Sequence, residues 1–177
     1  VLAATLSANY GIYGPAYELL EAEPREPGSE EYRDSEKYQI REWQTDRAES
    51  LRGLLSRLNR IRRENPALQQ DWNLAFYPVD NDEILCFGKW SDDEQNLVVV
   101  VVNLDPYHAQ TGWVELPAEA LAIDSRHPYQ MHDLLTGARY LWNGARNYVE
   151  LSPQAGQAHI FRLLRHVRTE RDFEYFF

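Results

Sequence analysis

Asn96–Leu104 reads NLVVVVVNL. A strand with one wet face alternates apolar and polar residues, so five consecutive valines predict a strand covered on both faces. At a sheet edge the same run would invite pairing with another chain, which places it centrally. Working outward, Trp72–Val79, Glu83–Trp90, Gly112–Leu116, Tyr129–Leu135, Ala138–Trp142, Asn147–Leu151 and Ala158–Leu164 also read as short strands. Turn signals separate them: Asp80-Asn81-Asp82, Ser91-Asp92-Asp93, Asp105-Pro106, Thr136-Gly137 and Asn143-Gly144. Short strands at this spacing predict an antiparallel β-sandwich over residues 67–165. Cys86, the single cysteine, falls in the apolar run EILCFG and reads as a buried, inert thiol.

Upstream of residue 67 the periodicity is different. Asp46–Glu64 predicts a helix: Leu51, Leu54, Leu55, Leu58 and Ile61 recur at three and four, and Asp46 with Glu49 resembles a capping box. Arg52, Arg60, Arg62 and Arg63 fall on other faces or in the last turn, as a solvated face that complements the helix dipole. Asn65-Pro66 ends it. Tyr10–Tyr13, aromatic and flanked by Gly11 and Gly14, predicts a buried strand, and Ala16–Glu21 one or two helical turns before Pro24 and Pro27. Val1–Ser7 reads as the last turns of a helix whose start is missing, so the chain reads as a fragment.

Between the short strand and the long helix lies Gly28–Trp43, GSEEYRDSEKYQIREW, dense in charge and aromatics. Loops that leave a strand and enter a helix are where rigid α/β frameworks hold binding groups at one rim, so site chemistry is sought here first. A solvated surface loop is the plainer reading of the same charge.

Composition narrows the partners. Eighteen basic against 28 acidic residues give a net charge of -10, which disfavours nucleic acid because phosphate contacts need clustered positive charge. A neutral ligand is not disfavoured. Aromatics make up 12 % of the chain, with five Trp and eleven Tyr, and their flat faces with polar edges suit sugar rings as well as packing. No apolar run is long enough to span a bilayer. His108, His127, His132, His159 and His166 are scattered without ligand spacing, and no nucleophile elbow, phosphate-cradling loop or dinucleotide fingerprint occurs, so neither metal nor cofactor is expected. The closing RTERDFEYFF, within a tail taken as residues 166–177, is charged and then aromatic.

The segments ATLSANYGIYGPAYELLE, PGSEEYRDSEKYQIREW, LNRIRRENPALQ, VVVVNLDP and HDLLTGARYLWNGARNYVEL resemble the bacterial α-1,4-glucan:maltose-1-phosphate maltosyltransferases of the α-amylase superfamily. That resemblance implies an α+β fragment: residues 1–66 as the last strand-loop-helix unit of a (β/α)8 barrel, followed by the sandwich domain. It implies transfer of maltose from α-maltose 1-phosphate to an α-1,4-glucan acceptor with release of phosphate, in glycogen or α-glucan biosynthesis, by a cytoplasmic homodimer. Lys37 and Tyr38 of the SEKY motif would bind the donor, since lysine offers a compact cation and tyrosine a hydroxyl with a stacking face. Asp34, Ser35 and Glu36 could orient the lysine, and Tyr13 and Glu18 are weaker candidates at the same rim. A retaining transferase of this type uses two carboxylates about 5 to 5.5 Å apart. In that family they come from earlier strands, so the resemblance places them upstream of Val1 and leaves this chain alone inactive.

Two other functions stay open at this stage. One is an α-amylase-type hydrolase or transglycosylase without a phosphorylated donor. The other is a non-catalytic glucan-binding or structural module, in which Trp72, Trp90, Trp113 and Trp142 would form a sugar platform, although tryptophans borne on strands more often pack in cores.

Overall fold

The computed structural model describes residues 1–124 and 126–165. The tail read at 166–177, including His166, lies outside the described residues. The described residues divide into two compact units, one holding Val1–Asn9 with residues 61–165, the other Tyr10–Arg60. Most of the first unit is antiparallel β structure, and helices are few.

Among the described residues eight strands form, one for each segment read as a strand downstream of residue 67: β1 (Leu74–Tyr77), β2 (Ile84–Trp90), β3 (Leu97–Asn103), β4 (Gln110–Glu115), β5 (Tyr129–Asp133), β6 (Arg139–Trp142), β7 (Arg146–Leu151) and β8 (Ala158–Leu164). Six build one antiparallel sheet in the order β1-β2-β3-β8-β5-β6, and β4 pairs with β7 in a second. The valine strand β3 sits inside the larger sheet between β2 and β8, buried along its whole length. Its alternation explains why five valines are needed. Val99 and Val101 join Cys86, Phe161 and Leu163 in the core shared with Val114, Leu116, Val149 and Leu151 of the smaller sheet. Val98, Val100 and Val102 are buried on the opposite face, where the 3₁₀ turn Pro66–Gln69 packs on β2 and β3 through its buried Ala67 and Leu68. Each such side chain contributes about 1.5 to 3 kcal/mol of hydrophobic stabilisation.

Polar groups also enter this layer. Lys89, on β2, is buried, and its ammonium donates to the carbonyls of Gln70 (2.5 Å) and Leu6 (3.3 Å). Desolvation lowers its pKa from the ordinary lysine value, so the two carbonyls are what make burial of the charged form tolerable. Asn96 receives the Ala67 N–H at 3.1 Å and donates to Asn65 at 2.9 Å, binding the 3₁₀ turn to the edge of the β3 hairpin. Arg62 reaches the carbonyls of Ala4, Ser7 and Ala8, so Val1–Asn9 is tied into the same unit around the short helix α1 (Leu2–Leu6).

Three expectations are corrected. Tyr10–Tyr13 is not a buried strand: no ladder forms there, and Ile12 and Tyr13 are exposed. A strand is stable only when its backbone groups find a neighbour, and among the described residues this segment has none in a sheet. The short helix α2 (Gly14–Glu18) begins before Ala16. The long helix α3 (Arg52–Glu64) starts six residues after Asp46, because Ser50 and not Asp46 supplies the cap: its hydroxyl accepts the Arg52 N–H (3.2 Å) and donates to Glu18 (3.2 Å). Leu58 and Ile61 are buried as the stripe predicts, whereas Leu54 is exposed.

Candidate functional site: the loop around Lys37 and Tyr38

Residues 23–33 fold back on themselves. The Arg25 N–H donates to Glu31 O (2.8 Å), the Arg33 N–H to Glu23 O (2.7 Å), and Pro24 faces Tyr32 in an antiparallel bridge. At the tip Gly28 adopts φ +82°, a left-handed conformation that costs glycine nothing, and the Ser29 N–H closes on Glu26 O at 2.9 Å. A tight turn follows, in which the N–H groups of Tyr38 and Gln39 both donate to Ser35 O (3.0 and 3.2 Å). This second turn carries Lys37 and Tyr38 back toward the first.

The result is a compact charged cluster. Lys37 ion-pairs with Glu31, whose other carboxylate oxygen lies 3.3 Å from Arg25. The Arg25 guanidinium stands 4.1 Å and the Lys37 ammonium 5.2 Å from the centre of the Tyr38 ring. One phenol thus carries two cations on a single carboxylate's support. The hydrogen bond from Lys37 holds Glu31 below the ordinary glutamate range, and the reciprocal bond raises the lysine. The field of Tyr38, then the bond from Glu31, raises Arg25. Lys37 and Tyr38 remain accessible, with 64 % of the lysine side chain and 51 % of the tyrosine exposed. An excess of cation facing solvent beside an aromatic ring is a chemically reasonable seat for a phosphorylated sugar.

Other candidates take different places. Glu31, not Asp34, Ser35 or Glu36, holds Lys37; Glu36 instead accepts the Tyr32 hydroxyl. Ser35 Oγ and Arg41 Nη1 are buried and lack a hydrogen-bond partner among the described residues, so the loop keeps unused donor capacity. Tyr13 packs edge-on against Tyr32 at 6.1 Å, and Glu18 serves the start of α3 through Ser50. Arg25 lies outside the stretch singled out above, and Glu31 lies within it but had no role assigned. The signal that could have joined the two was the Pro-Gly-Ser turn at 27–29 with opposite charges on its two sides.

The tryptophans divide. Trp142 is buried and Trp90 half-buried, whereas Trp72 is exposed and packs edge-on against Trp90. Trp113 is also exposed, opposite Tyr148 across the β4–β7 pair. Cys86 is buried, and burial pushes its thiol up to about 12, so it carries no thiolate at neutral pH. His108 and His127 pair on the surface with Asp105 and Asp124, each at 2.8 Å, while His159 lies 3.1 Å from buried Asp133. Among the described residues no helix is long and apolar enough to cross a membrane.

Residues 76–163 match the family described as GLGE, C-terminal. The chain is 46 % identical over 169 residues to the α-1,4-glucan:maltose-1-phosphate maltosyltransferase of Chlorobaculum tepidum, covering 92 % of this chain and 25 % of that protein. It is 42 % identical over 175 residues to the enzyme of the same name from Myxococcus xanthus, covering 99 % of this chain and 26 % of that protein. The maltosyltransferase 1 of Streptomyces coelicolor is 47 % identical over 169 residues, covering 93 % and 24 %. The chain therefore spans about a quarter of the length of the curated relatives it matches. Among solved structures, an α-amylase from Geobacillus thermoleovorans has a similar fold at 14 % identity and TM-score 0.54, covering 78 % of this chain and 27 % of that one.

Proposed function

We propose that the chain, whose residues 76–163 match the family described as GLGE, C-terminal, is the C-terminal part of a retaining maltosyltransferase that moves maltose from α-maltose 1-phosphate onto the non-reducing end of an α-1,4-glucan. The observation that carries this reading is the 46 % identity over 169 residues to a maltosyltransferase, which reaches the polar loop as well as the sheets. In this reading residues 1–66 contribute the last unit of a (β/α)8 barrel and residues 67–165 the sandwich that follows. A cytoplasmic homodimer acting in glycogen or α-glucan biosynthesis goes with it.

The chemistry divides between this chain and the rest of the protein. A carboxylate of the barrel attacks the anomeric carbon, the C1–O bond to phosphate breaks, and a glycosyl ester forms. The acceptor hydroxyl then displaces the ester while a second carboxylate takes its proton. Lys37 and Tyr38 act before either step by seating the donor: the ammonium meets the phosphate or a sugar hydroxyl, and the phenol closes one side. Glu31 keeps the lysine charged and aimed in the empty site, at no cost of burying a charge, since the pair is exposed.

Release of inorganic phosphate from maltose 1-phosphate by the whole protein, with maltoheptaose as acceptor, tests the function. Glucan cleavage with no phosphate release would favour a hydrolase instead. Lys37→Ala in the same protein should lower kcat/KM for the donor by about 5- to 150-fold, the equivalent of roughly 1 to 3 kcal/mol for a charged hydrogen bond. The value for the glucan acceptor should stay the same. An unchanged donor kcat/KM would remove Lys37 from the site.

A further inference from the structure

Lys37 and Tyr38 ride on the turn that closes on Ser35 O, whereas the fold-back of residues 23–33 is a separate piece of backbone with hydrogen bonds of its own. Side chains couple the two pieces, and Arg25 stands where they meet. We propose that Arg25 is a positioning residue for the donor site: it touches no atom of the substrate, and it holds the Tyr38 ring and, through Glu31, the Lys37 ammonium in the arrangement that receives the donor. The inference rests on the maltosyltransferase reading of Lys37 and Tyr38.

Arg25 is held by both its backbone and its side chain. Its N–H donates to Glu31 O at 2.8 Å, which sets residues 25 and 31 opposite each other before their side chains meet. Its Nη1 then lies 3.3 Å from Glu31 Oε2, while Oε1 of the same carboxylate takes the Lys37 ammonium. The carboxylate is therefore a bridge, with one cation on the fold-back and the other on the turn. The Arg25 guanidinium also stands over the Tyr38 ring, 4.1 Å from its centre, closer than the lysine at 5.2 Å. A guanidinium is flat and weakly hydrated, so it packs on a phenol ring as an ammonium does not.

The division of labour between the two cations follows from their surroundings. Arg25 is engaged by the carboxylate and by the ring, and 49 % of its side chain is exposed against 64 % for Lys37. The lysine is thus the cation presented to a ligand, and the arginine is its support. As an exposed ion pair, Arg25–Glu31 gives the fold little stability. Its effect is conformational: an exposed lysine and tyrosine left alone sample several rotamers, and rotamers restricted beforehand are not lost when the donor binds. Neighbouring pairs lie elsewhere. Arg33 joins Glu23 at 2.6 Å, and the Tyr32 hydroxyl donates to Glu36, so neither pair includes Lys37 or Tyr38.

The test uses the full-length protein. Arg25→Gln should raise KM for maltose 1-phosphate about threefold to tenfold and leave kcat within about twofold, the pattern of an interaction that seats ground state and transition state alike. α-Maltosyl fluoride, a donor without phosphate followed by fluoride release, should show the same rise, because Arg25 acts through the loop and not on the leaving group. Arg25→Lys should recover part of the loss, and Arg25→Gln should add less in a Tyr38→Ala background than it does alone. Arg33→Gln, which breaks the neighbouring pair with Glu23, should leave both KM values unchanged, and all these variants should keep the parent's melting temperature. A loss confined to maltose 1-phosphate would make Arg25 a direct phosphate contact and overturn the positioning role. An unchanged KM in Arg25→Gln, or effects of Arg25→Gln and Tyr38→Ala that add in full, would overturn it too. If Lys37→Ala and Tyr38→Ala both leave donor use intact, the reading of the loop fails and this inference falls with it; if they weaken donor use and Arg25→Gln does not, the inference falls alone.

Discussion

Gly88→Ala should lower the unfolding free energy by about 3 kcal/mol, the upper part of the range for overpacking a buried site. A Cβ at this position would lie 2.1 Å from the Tyr77 hydroxyl oxygen and 2.6 Å from two carbons of its ring. Tyr77 has no easy way out. It is buried in the core shared by the two sheets, and burial already pushes its phenol up to about 12. Nor can the backbone retreat, because Gly88 stands in register with Ala75 on one side and Val99 on the other. Urea unfolding should show a lower midpoint at constant m-value. Adding Tyr77→Ala to Gly88→Ala should cost less than the two single changes combined, since the collision is then gone. A loss below about 1 kcal/mol for Gly88→Ala would mean that the ring swings aside.

Asp133→Ala carries the second large effect, again about 3 kcal/mol, because it strands several buried donors at once. One carboxylate oxygen accepts the N–H groups of Leu135 (3.1 Å) and Ile160 (3.3 Å); the other accepts the Thr136 hydroxyl (2.6 Å) and meets His159 (3.1 Å). Burial opposes the charged form, but bonds from His159, Thr136 and Leu135 outweigh it and hold the carboxyl below the ordinary aspartate range. The folded pKa is thus lower than the unfolded one, so the stabilisation is present above the unfolded value and lost as pH falls through the folded value. Asp133→Asn should therefore differ most from the parent near neutral pH, and the gap should narrow below roughly pH 4. Thermal unfolding followed by circular dichroism from pH 3 to 7 reads both expectations. A constant gap across that range would show that the carboxylate charge contributes nothing.

Asp133 also explains one limit of reading this chain from its sequence. Tyr129–Leu135 reads as a strand by apolar content, yet β5 stops at Asp133, where the side chain caps the turn and the Gly137 N–H closes on its carbonyl. The other strand boundaries were legible within a few residues, because alternation and turn chemistry are local properties. Strand order was not: nothing local announces that β8 lies beside β3 while β4 leaves to pair with β7. The same holds for Lys89, which looks like a solvent-facing residue after CFG but has two carbonyls waiting from segments far away in sequence. In the loop, the SEKY resemblance picked out Lys37 and Tyr38, but Arg25 and Glu31 join them only through the backbone fold at 23–33.

The position of β3 between β2 and β8 sets a constraint on how the protein is made. The hairpin partner β2 is available as soon as β3 leaves the ribosome, but the other flank of the valine strand waits until Ala158–Leu164 has been synthesised. During that interval a nascent chain presents an unpaired, strongly apolar edge to its surroundings. Until β8 pairs, that edge is open to pairing with another chain, so the late, long-range closure of the sheet is the step at which the valine strand is most exposed to aggregation.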